Sequence, residues 1–443
     1  MTALSALVQL AALSGVFAVG WRVTRFVLAP PAVRWSMLQA LWVRVTWRRL
    51  ARVVGLVYRD PNPTWRPWIW RRADPHDDEP HVVVPRIRLR TDPFGVIVLT
   101  RPLPRVGRAE WEAAAPSLAA SWRCARVGVS ESRRGRLVIR GVRRDPLTIP
   151  TAWRPTDRNR SVDVWPIGVD EYAQPVKLPL RDVAGVTVAG LPGSGKTSLL
   201  AAFLARYAPS PSVQFVVMDG KGSVEYDDVR PRLSAFVDDD LEAANQLLTK
   251  LVDLRRQRAR VTRNFWQSGP SIGTPLVVVV VDEAHTFFAD LKGSDPHTRT
   301  LAALTAENRR LTEDLTKKGR SSGFLTILAT QRATFDSIPT SIRDTCTIGM
   351  SFAQSTSAAS VAALGESIRE WPSADPMALQ GPQYVGVASM RVEGRPGFTR
   401  VRTPYVPDEL VRTICADSAH LARPLTELHP RPLAVVQSVD LAA

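Results

Sequence analysis

The stretch GVTVAGLPGSGKTSLL, residues 185–200, constrains the fold more than any other part of this chain. A short β-branched run ends at Ala189, and Gly190, Leu191, Pro192, Gly193, Ser194, Gly195, Lys196, Thr197 and Ser198 follow. From Gly190 to Thr197 the residues fit G-x-x-x-x-G-K-[ST] at every fixed position, and an apolar, helix-permissive segment comes next. Strand, glycine-rich loop and helix is the context in which such a loop binds phosphate. Glycines let backbone N–H groups curl around the anion, and the helix N-terminus points partial positive charge at it. Lys196 is expected to reach the β- and γ-phosphates of ATP, and the Thr197 hydroxyl to hold Mg²⁺.

Strands alternating with helices follow the loop, the pattern of an α/β parallel sheet. Residues 213–218 read as a strand ending in Asp219-Gly220-Lys221-Gly222, and 241–265 as a long, mostly helical stretch. In PLVVVVVDEAH, residues 276–281 form a fully apolar run, as a central strand should. Asp282 stands at its carboxyl end, where ligands bind in such sheets. It is expected to support Mg²⁺, directly or through water, and Glu283 to orient and polarise the attacking water. Residues 323–330, GFLTILAT, read as another strand, ending in Gln331-Arg332. A Gln at the tip of a strand beside the phosphate-loop strand can sense the γ-phosphate.

A chain of 443 residues, 45% hydrophobic and 23% charged, has material for two or three domains with buried cores. Its formal charge of +16 invites a nucleic-acid reading. The charge is concentrated, however. Residues 1–180 hold 29 Lys and Arg against 14 Asp and Glu, out of 58 and 42 in the whole chain. An excess placed before the phosphate loop suits an anionic membrane surface first and DNA second. Cys124, Cys346 and Cys415 have no metal-binding spacing; they read as small buried apolar residues in a reducing compartment.

Residues 1–21 carry no charged side chain, and Arg22 and Arg25 follow Trp21. About 20 such residues can cross a bilayer as one helix, and positive charge on the C-terminal flank places the rest in the cytoplasm. Residues 1–25 are therefore expected to be a single-pass membrane anchor. Residues 35–58 interleave Trp35, Trp42 and Trp47 with Arg44, Arg48, Arg49 and Arg52, which suits a helix lying in the membrane interface. This basic juxtamembrane segment and a Pro-, Trp- and Asp-rich linker take up residues 26–80. A small α+β domain is expected over 81–145, with strands at 82–89, 96–100, 125–130 and 137–142 and a helix at 108–123. It shows no catalytic cluster, and His76 and His81 read as solvated linker residues. A second linker (146–163), the motor (164–412) and a tail (413–443) complete the division.

The segments LPGSGKTSLL, VVVVVDEAH, KKGRSSGFLTILATQR, SIRDTCTIGMSF, MDGKGSVEY and RVRTPYVPDELV together resemble the motor of FtsK/SpoIIIE-type DNA translocases, over roughly residues 166–412. The KGR…G…LATQR run is the most diagnostic of them. The resemblance implies a RecA-like P-loop ATPase motor, a homo-hexameric ring around double-stranded DNA, and ATP held between subunits with an arginine supplied by the neighbour. Arg320 and Arg343 are the candidates for that arginine. The cell-division members carry several membrane helices and a C-terminal winged helix; here one membrane helix is expected, and about thirty residues follow Val411. The layout is closer to the transfer proteins of actinobacterial plasmids and integrative elements. A type IV coupling protein acting on relaxase-bound single strands is a rival, but its helical insertion finds no room between Thr197 and Asp282. An ATPase of type VII protein secretion is another, but such chains usually hold several ATPase modules, and one phosphate loop is found here.

Overall fold

The computed structural model describes residues 20–21, 23–60, 81–132, 135–153, 162–261, 264–334, 337–394 and 397–429, and the chain divides into two units, Met1–Pro146 and Leu147–Ala443. The expected membrane anchor lies outside the described residues up to position 19, as do residues 61–80 with His76 and residues 430–443. Among the described residues no helix is long and apolar enough to cross a membrane.

The first unit opens with helix α1 (Pro31–Val53), entered through Pro30 and Pro31, whose fixed φ suits a helix start. Strands β1 (Tyr58–Asp60) and β2 (His81–Val83) pair antiparallel. A four-stranded antiparallel sheet, ordered β3-β4-β6-β5, comprises β3 (Ile87–Asp92), β4 (Gly95–Thr100), β5 (Arg126–Glu131) and β6 (Leu137–Val142), with helix α2 (Arg108–Trp122) between β4 and β5. The single strand expected over 82–89 is instead split into β2 and β3 around Pro85, which lacks a backbone donor.

Helix α1 departs from its expected interfacial role along one stripe. Ser36, Gln39, Ala40, Val43, Trp47 and Ala51 are buried, and Trp47 stacks on Trp111 of α2 with ring centroids 5.3 Å apart. Trp122, Leu118, Val96, Val98 and Ile139 complete this core. Of the buried polar members, Ser36 Oγ donates within the helix to the Ala32 carbonyl (3.1 Å), and Gln39 Nε2 reaches across to that of Trp122 (2.9 Å) while its Oε1 meets no donor among the described residues. The opposite face leaves Trp35, Leu38, Leu41, Trp42 and Val45 exposed among the arginines.

In the second unit ten strands form one sheet, ordered β12-β11-β13-β14-β10-β15-β16-β17-β8-β9. Its parallel half comprises β10 (Gly185–Ala189), β11 (Val213–Asp219), β12 (Leu233–Asp238), β13 (Leu276–Asp282), β14 (Phe324–Thr330) and β15 (Ile348–Ser351). The antiparallel extension is built from β8 (Val164–Asp170), β9 (Pro175–Pro179), β16 (Val387–Val392) and β17 (Thr399–Arg402). A separate short parallel pair joins β7 (Thr151–Ala152) to β18 (Pro404–Tyr405).

The run LVVVVVD is apolar at every position because both faces of β13 are covered. Val278 and Val280 share a core with Val186, Val188 and Phe203, the last on helix α3 (Lys196–Tyr207). Val277, Val279 and Val281 face Leu247, Leu248 and Leu251 of α4 (Leu241–Val261) and Leu311 and Leu315 of α5 (Pro296–Lys318).

Two expected boundaries move. Trp153 and Val162, assigned by sequence to a linker, are buried in the core of the second unit, and β7 extends that core's edge. Helix α6 (Asp408–Asp417) runs past residue 412 and buries Ile414 and Cys415. Beyond it, Leu428 packs into the other core, and Gln214 Nε2 donates to the Leu421 carbonyl at 2.9 Å. The expected tail is thus part of the fold at least to residue 429. All three thiols are free, and burial pushes Cys124 and Cys415 up to about 11 and Cys346 to about 12, as inert packing residues require.

Candidate functional site

Four parallel strands end together at one edge. The register pairs Asp219 with Asp282, Val281 with Leu328, and Ala189 with Thr330. Strand β14 therefore lies between the phosphate-loop strand β10 and the acidic strand β13, with Gln331 just past its tip.

The loop from Gly190 to Gly195 is held closely on both sides. A Cβ on Gly190 would meet Phe352 Cβ and Ser194 Oγ at 2.7 Å, and one on Gly195 (φ +114°) would meet Gly386 Cα at 2.8 Å. The Gly386 N–H donates to the Ser194 carbonyl at 2.8 Å, so the turn before β16 braces the loop from behind. Lys196 and Thr197 open α3, and Ser198 follows in its first turn.

Lys196 is buried and points at the acidic pair. Its Nζ lies 3.0 Å from Asp282 Oδ1 and 3.7 Å from Glu283 Oε2. Asp282 also accepts from the Tyr226 hydroxyl (2.9 Å, Oδ2) and from the Glu283 backbone N–H (2.9 Å, Oδ1). Glu283 is bent into the left-handed region at φ 49°, ψ 55°, a conformation that costs a non-glycine residue about 1–3 kcal/mol. The bend turns its carboxylate along the edge, where Oε2 accepts from the Gln331 N–H at 3.0 Å and Oε1 from the Thr330 hydroxyl at 3.4 Å. Gln331 thus meets the site through its backbone, holding Glu283.

Thr197 Oγ1 donates to Glu225 Oε2 at 3.3 Å, and Glu225 is also bonded to Lys221. Asp219 accepts from the Lys221 N–H (3.0 Å) and the Ser223 N–H (3.1 Å), shaping the loop that delivers Glu225 and Tyr226. Burial, with Asp282 adding repulsion, pushes the Asp219 carboxyl above its ordinary range despite those donors. Burial also drives the Tyr226 hydroxyl well up, so it remains a donor to Asp282. Glu225 and Tyr226 escaped the sequence reading as site residues; the one available signal was their place in MDGKGSVEY, downstream of a strand end.

Of the two arginine candidates, Arg343 is anchored within its own chain, donating to the Ala362 carbonyl at 3.1 Å and pairing with Asp344. Arg320 is exposed and precedes β14, so it sits at the sheet edge opposite the phosphate loop.

A lysine-tipped phosphate loop, a carboxylate pair two strands away and a polar-tipped strand between them define an ATPase domain of the P-loop class. The chain is an ATPase. Residues 184–334 match the AAA domain family. Among solved structures, the pCW3 conjugation coupling protein TcpA, in its monomer form with ATPγS, is similar at a TM-score of 0.52 and 19% identity, over 75% of this chain and 93% of that one. The cytoplasmic domain of the Thermomonospora curvata type VII secretion ATPase EccC aligns at 0.45 and 20% identity, over 65% of this chain and 34% of that one. EssC (ATPases 2 and 3) from Geobacillus thermodenitrificans aligns at 0.45 and 15%, over 62% and 54%. No match was found among curated protein sequences.

Proposed function

We propose that this chain is a membrane-anchored, ATP-driven translocase of double-stranded DNA, of the FtsK/SpoIIIE type, working as a homo-hexamer in conjugative transfer. The observation that carries the reading is the position of β14. The run most diagnostic of that family, KGR…LATQR, forms the strand between phosphate loop and acidic pair, and its Gln331 N–H holds Glu283. The conjugative assignment draws on the name of TcpA, a conjugation coupling protein of the same fold.

The residues fit a magnesium nucleotide. Thr197 and Asp282 supply hydroxyl and carboxylate oxygens at one strand edge, the hard donors such a cation prefers. Bound there, Mg²⁺ supplies charge neutralisation to the phosphates. With a nucleotide bound, Lys196 would hold the β- and γ-phosphates in place of Asp282, Thr197 would hold the cation in place of Glu225, and Glu283, aimed by the Gln331 N–H, would orient water. The exposed face of α1 supports the membrane assignment: Trp35, Leu38, Leu41, Trp42 and Val45 beside Arg34, Arg44, Arg48 and Arg49 suit an anionic bilayer surface next to the anchor at residues 1–25. The motor then lies on the cytoplasmic side, with Arg320 the better of the two candidates for completing a neighbour's site.

Turnover of the detergent-solubilised full chain with duplex DNA, with single-stranded DNA and with neither tests this reading. Stimulation by duplex is expected. Stimulation by single strands alone would transfer the protein to the type IV coupling class, and indifference to both would favour protein export of the type VII kind.

A further inference from the structure

A cleft of about 280 Å³ begins at Gly195 and Ser198 and runs away from the acidic pair; Asp282, Glu283 and Tyr226 do not line it. Its size is just below the range of roughly 300–1,000 Å³ usual for small-molecule sites, suited to part of a ligand whose remainder sits elsewhere. That direction is informative. In a loop of this type the lysine serves the β- and γ-phosphates, while backbone N–H groups cradle the α- and β-phosphates. A nucleotide whose γ-phosphate meets Lys196 therefore leaves the loop past the first turn of α3, at Ser198.

The cleft walls come from three segments that a single buried arginine ties together. Arg402 donates through Nε to the Leu147 carbonyl, through Nη2 to that of Gln383, and through Nη1 to that of Val385 at 3.0 Å. The Trp153 N–H donates to the Tyr405 carbonyl at 2.9 Å, and β7 pairs with β18, so Thr148, Pro150 and Thr151 line the cleft beside Tyr405. Flat apolar groups dominate: Pro150, Pro382, Pro404, Val385 and Tyr405. Tyr405 is 53% exposed, as a stacking platform must be.

We propose that this cleft is the nucleoside subsite: the base of ATP stacks on Tyr405, and the segment entering the motor, residues 148–151, closes over the base and ribose. The subsite rests on the ATPase reading and adds to it a role for a stretch that composition marks as a linker. It also makes that stretch sensitive to the nucleoside rather than to the phosphates.

Calorimetry of the full chain with two probes, ATP and inorganic tripolyphosphate, tests this. Tyr405→Ala should weaken ATP about tenfold and leave tripolyphosphate unchanged, while Tyr405→Phe keeps both. Thr148→Trp, filling the cleft from an exposed wall position, should likewise weaken ATP alone. Backbone hydrogen exchange at residues 148–153 should slow with ATP and not with tripolyphosphate. Undiminished ATP affinity in Tyr405→Ala and Thr148→Trp, or exchange unaltered by ATP, would overturn the subsite. Wild-type protein binding neither probe would instead sink the ATPase reading beneath it.

Discussion

The carboxyl edge of the large sheet and the core of the small unit are built from opposite materials. At the edge, Lys196, Asp219 and Asp282 are all buried, though charged groups resist leaving water, and each is held by named partners. The small unit's core is tryptophan and aliphatic: Trp47, Trp111, Trp122, Val43, Val96, Ile139. Its ion pairs, such as Arg140 with Asp92 and Arg126 with Asp145, lie outside that core. Burying charge gives up stability that apolar side chains of similar volume would supply, so a dry cluster of it at a strand edge signifies chemistry. A core of packed rings signifies shape alone.

The contrast breaks most visibly at Lys196. Lys196→Ala removes the cation from between two carboxylates and from the phosphates, and turnover should fall by at least about 10²–10³-fold. Glu283→Gln should keep ATP binding and lower hydrolysis by about 10²–10⁴-fold, the span of positioned acid–base groups. Single-turnover kinetics separate the two, and an unchanged rate in Glu283→Gln would remove that side chain from the reaction. In the other region, Trp111→Ala should destabilise the small unit by about 3–5 kcal/mol, read from its unfolding transition, and leave turnover per folded molecule at the wild-type value. Turnover per folded molecule falling in step with that transition would erase the distinction between chemistry and packing.

The two regions also differ in how far their sequences disclose them. The phosphate loop is a local pattern with a partly local cause: Gly193 (φ +72°) and Gly195 (φ +114°) take the left-handed backbone that favours glycine, whereas the close approach of Phe352 and Gly386 to the loop comes from distant sequence. Strand β13 is legible because burial on both faces demands an unbroken apolar run. The sequence places the Gln331 strand beside the phosphate-loop strand, and β14 does pair with β10; its pairing with β13 on the other side carries no local signal. Helix α1 is legible only in part: its tryptophans and arginines mark an amphipathic helix, but its buried stripe includes Ser36 and Gln39, polar residues that no apolar pattern marks as inward-facing. Strand β7 is two residues long, too short for alternation to register, and the surrounding arginines make it look like a linker. Residues 413–429 join the fold through contacts with Gln214 and Arg258, more than 150 positions away, which no local pattern encodes.

Tyr226 tests the same contrast at its smallest scale. It lies on a single 3₁₀ turn, 56 positions from Asp282, and only its place in MDGKGSVEY, after the end of β11, hints that it belongs to a site. Its hydroxyl nevertheless donates to Asp282 Oδ2 at 2.9 Å, and burial keeps that hydroxyl protonated. Tyr226→Phe preserves the ring and its packing, so the change isolates one hydrogen bond to a charged acceptor. Such a bond contributes about 1.5–3 kcal/mol. Part of that loss should be recovered through the Lys196 and Glu283 N–H contacts on the other oxygen, leaving a fall in kcat of roughly tenfold, with Tm close to wild type. The magnesium concentration for half-maximal turnover should rise as well, because an untethered carboxylate must be ordered before it can serve a cation. A drop in Tm with kcat and magnesium dependence unmoved would reassign Tyr226 to packing, and the boundary between the two materials would then run between Tyr226 and Asp282.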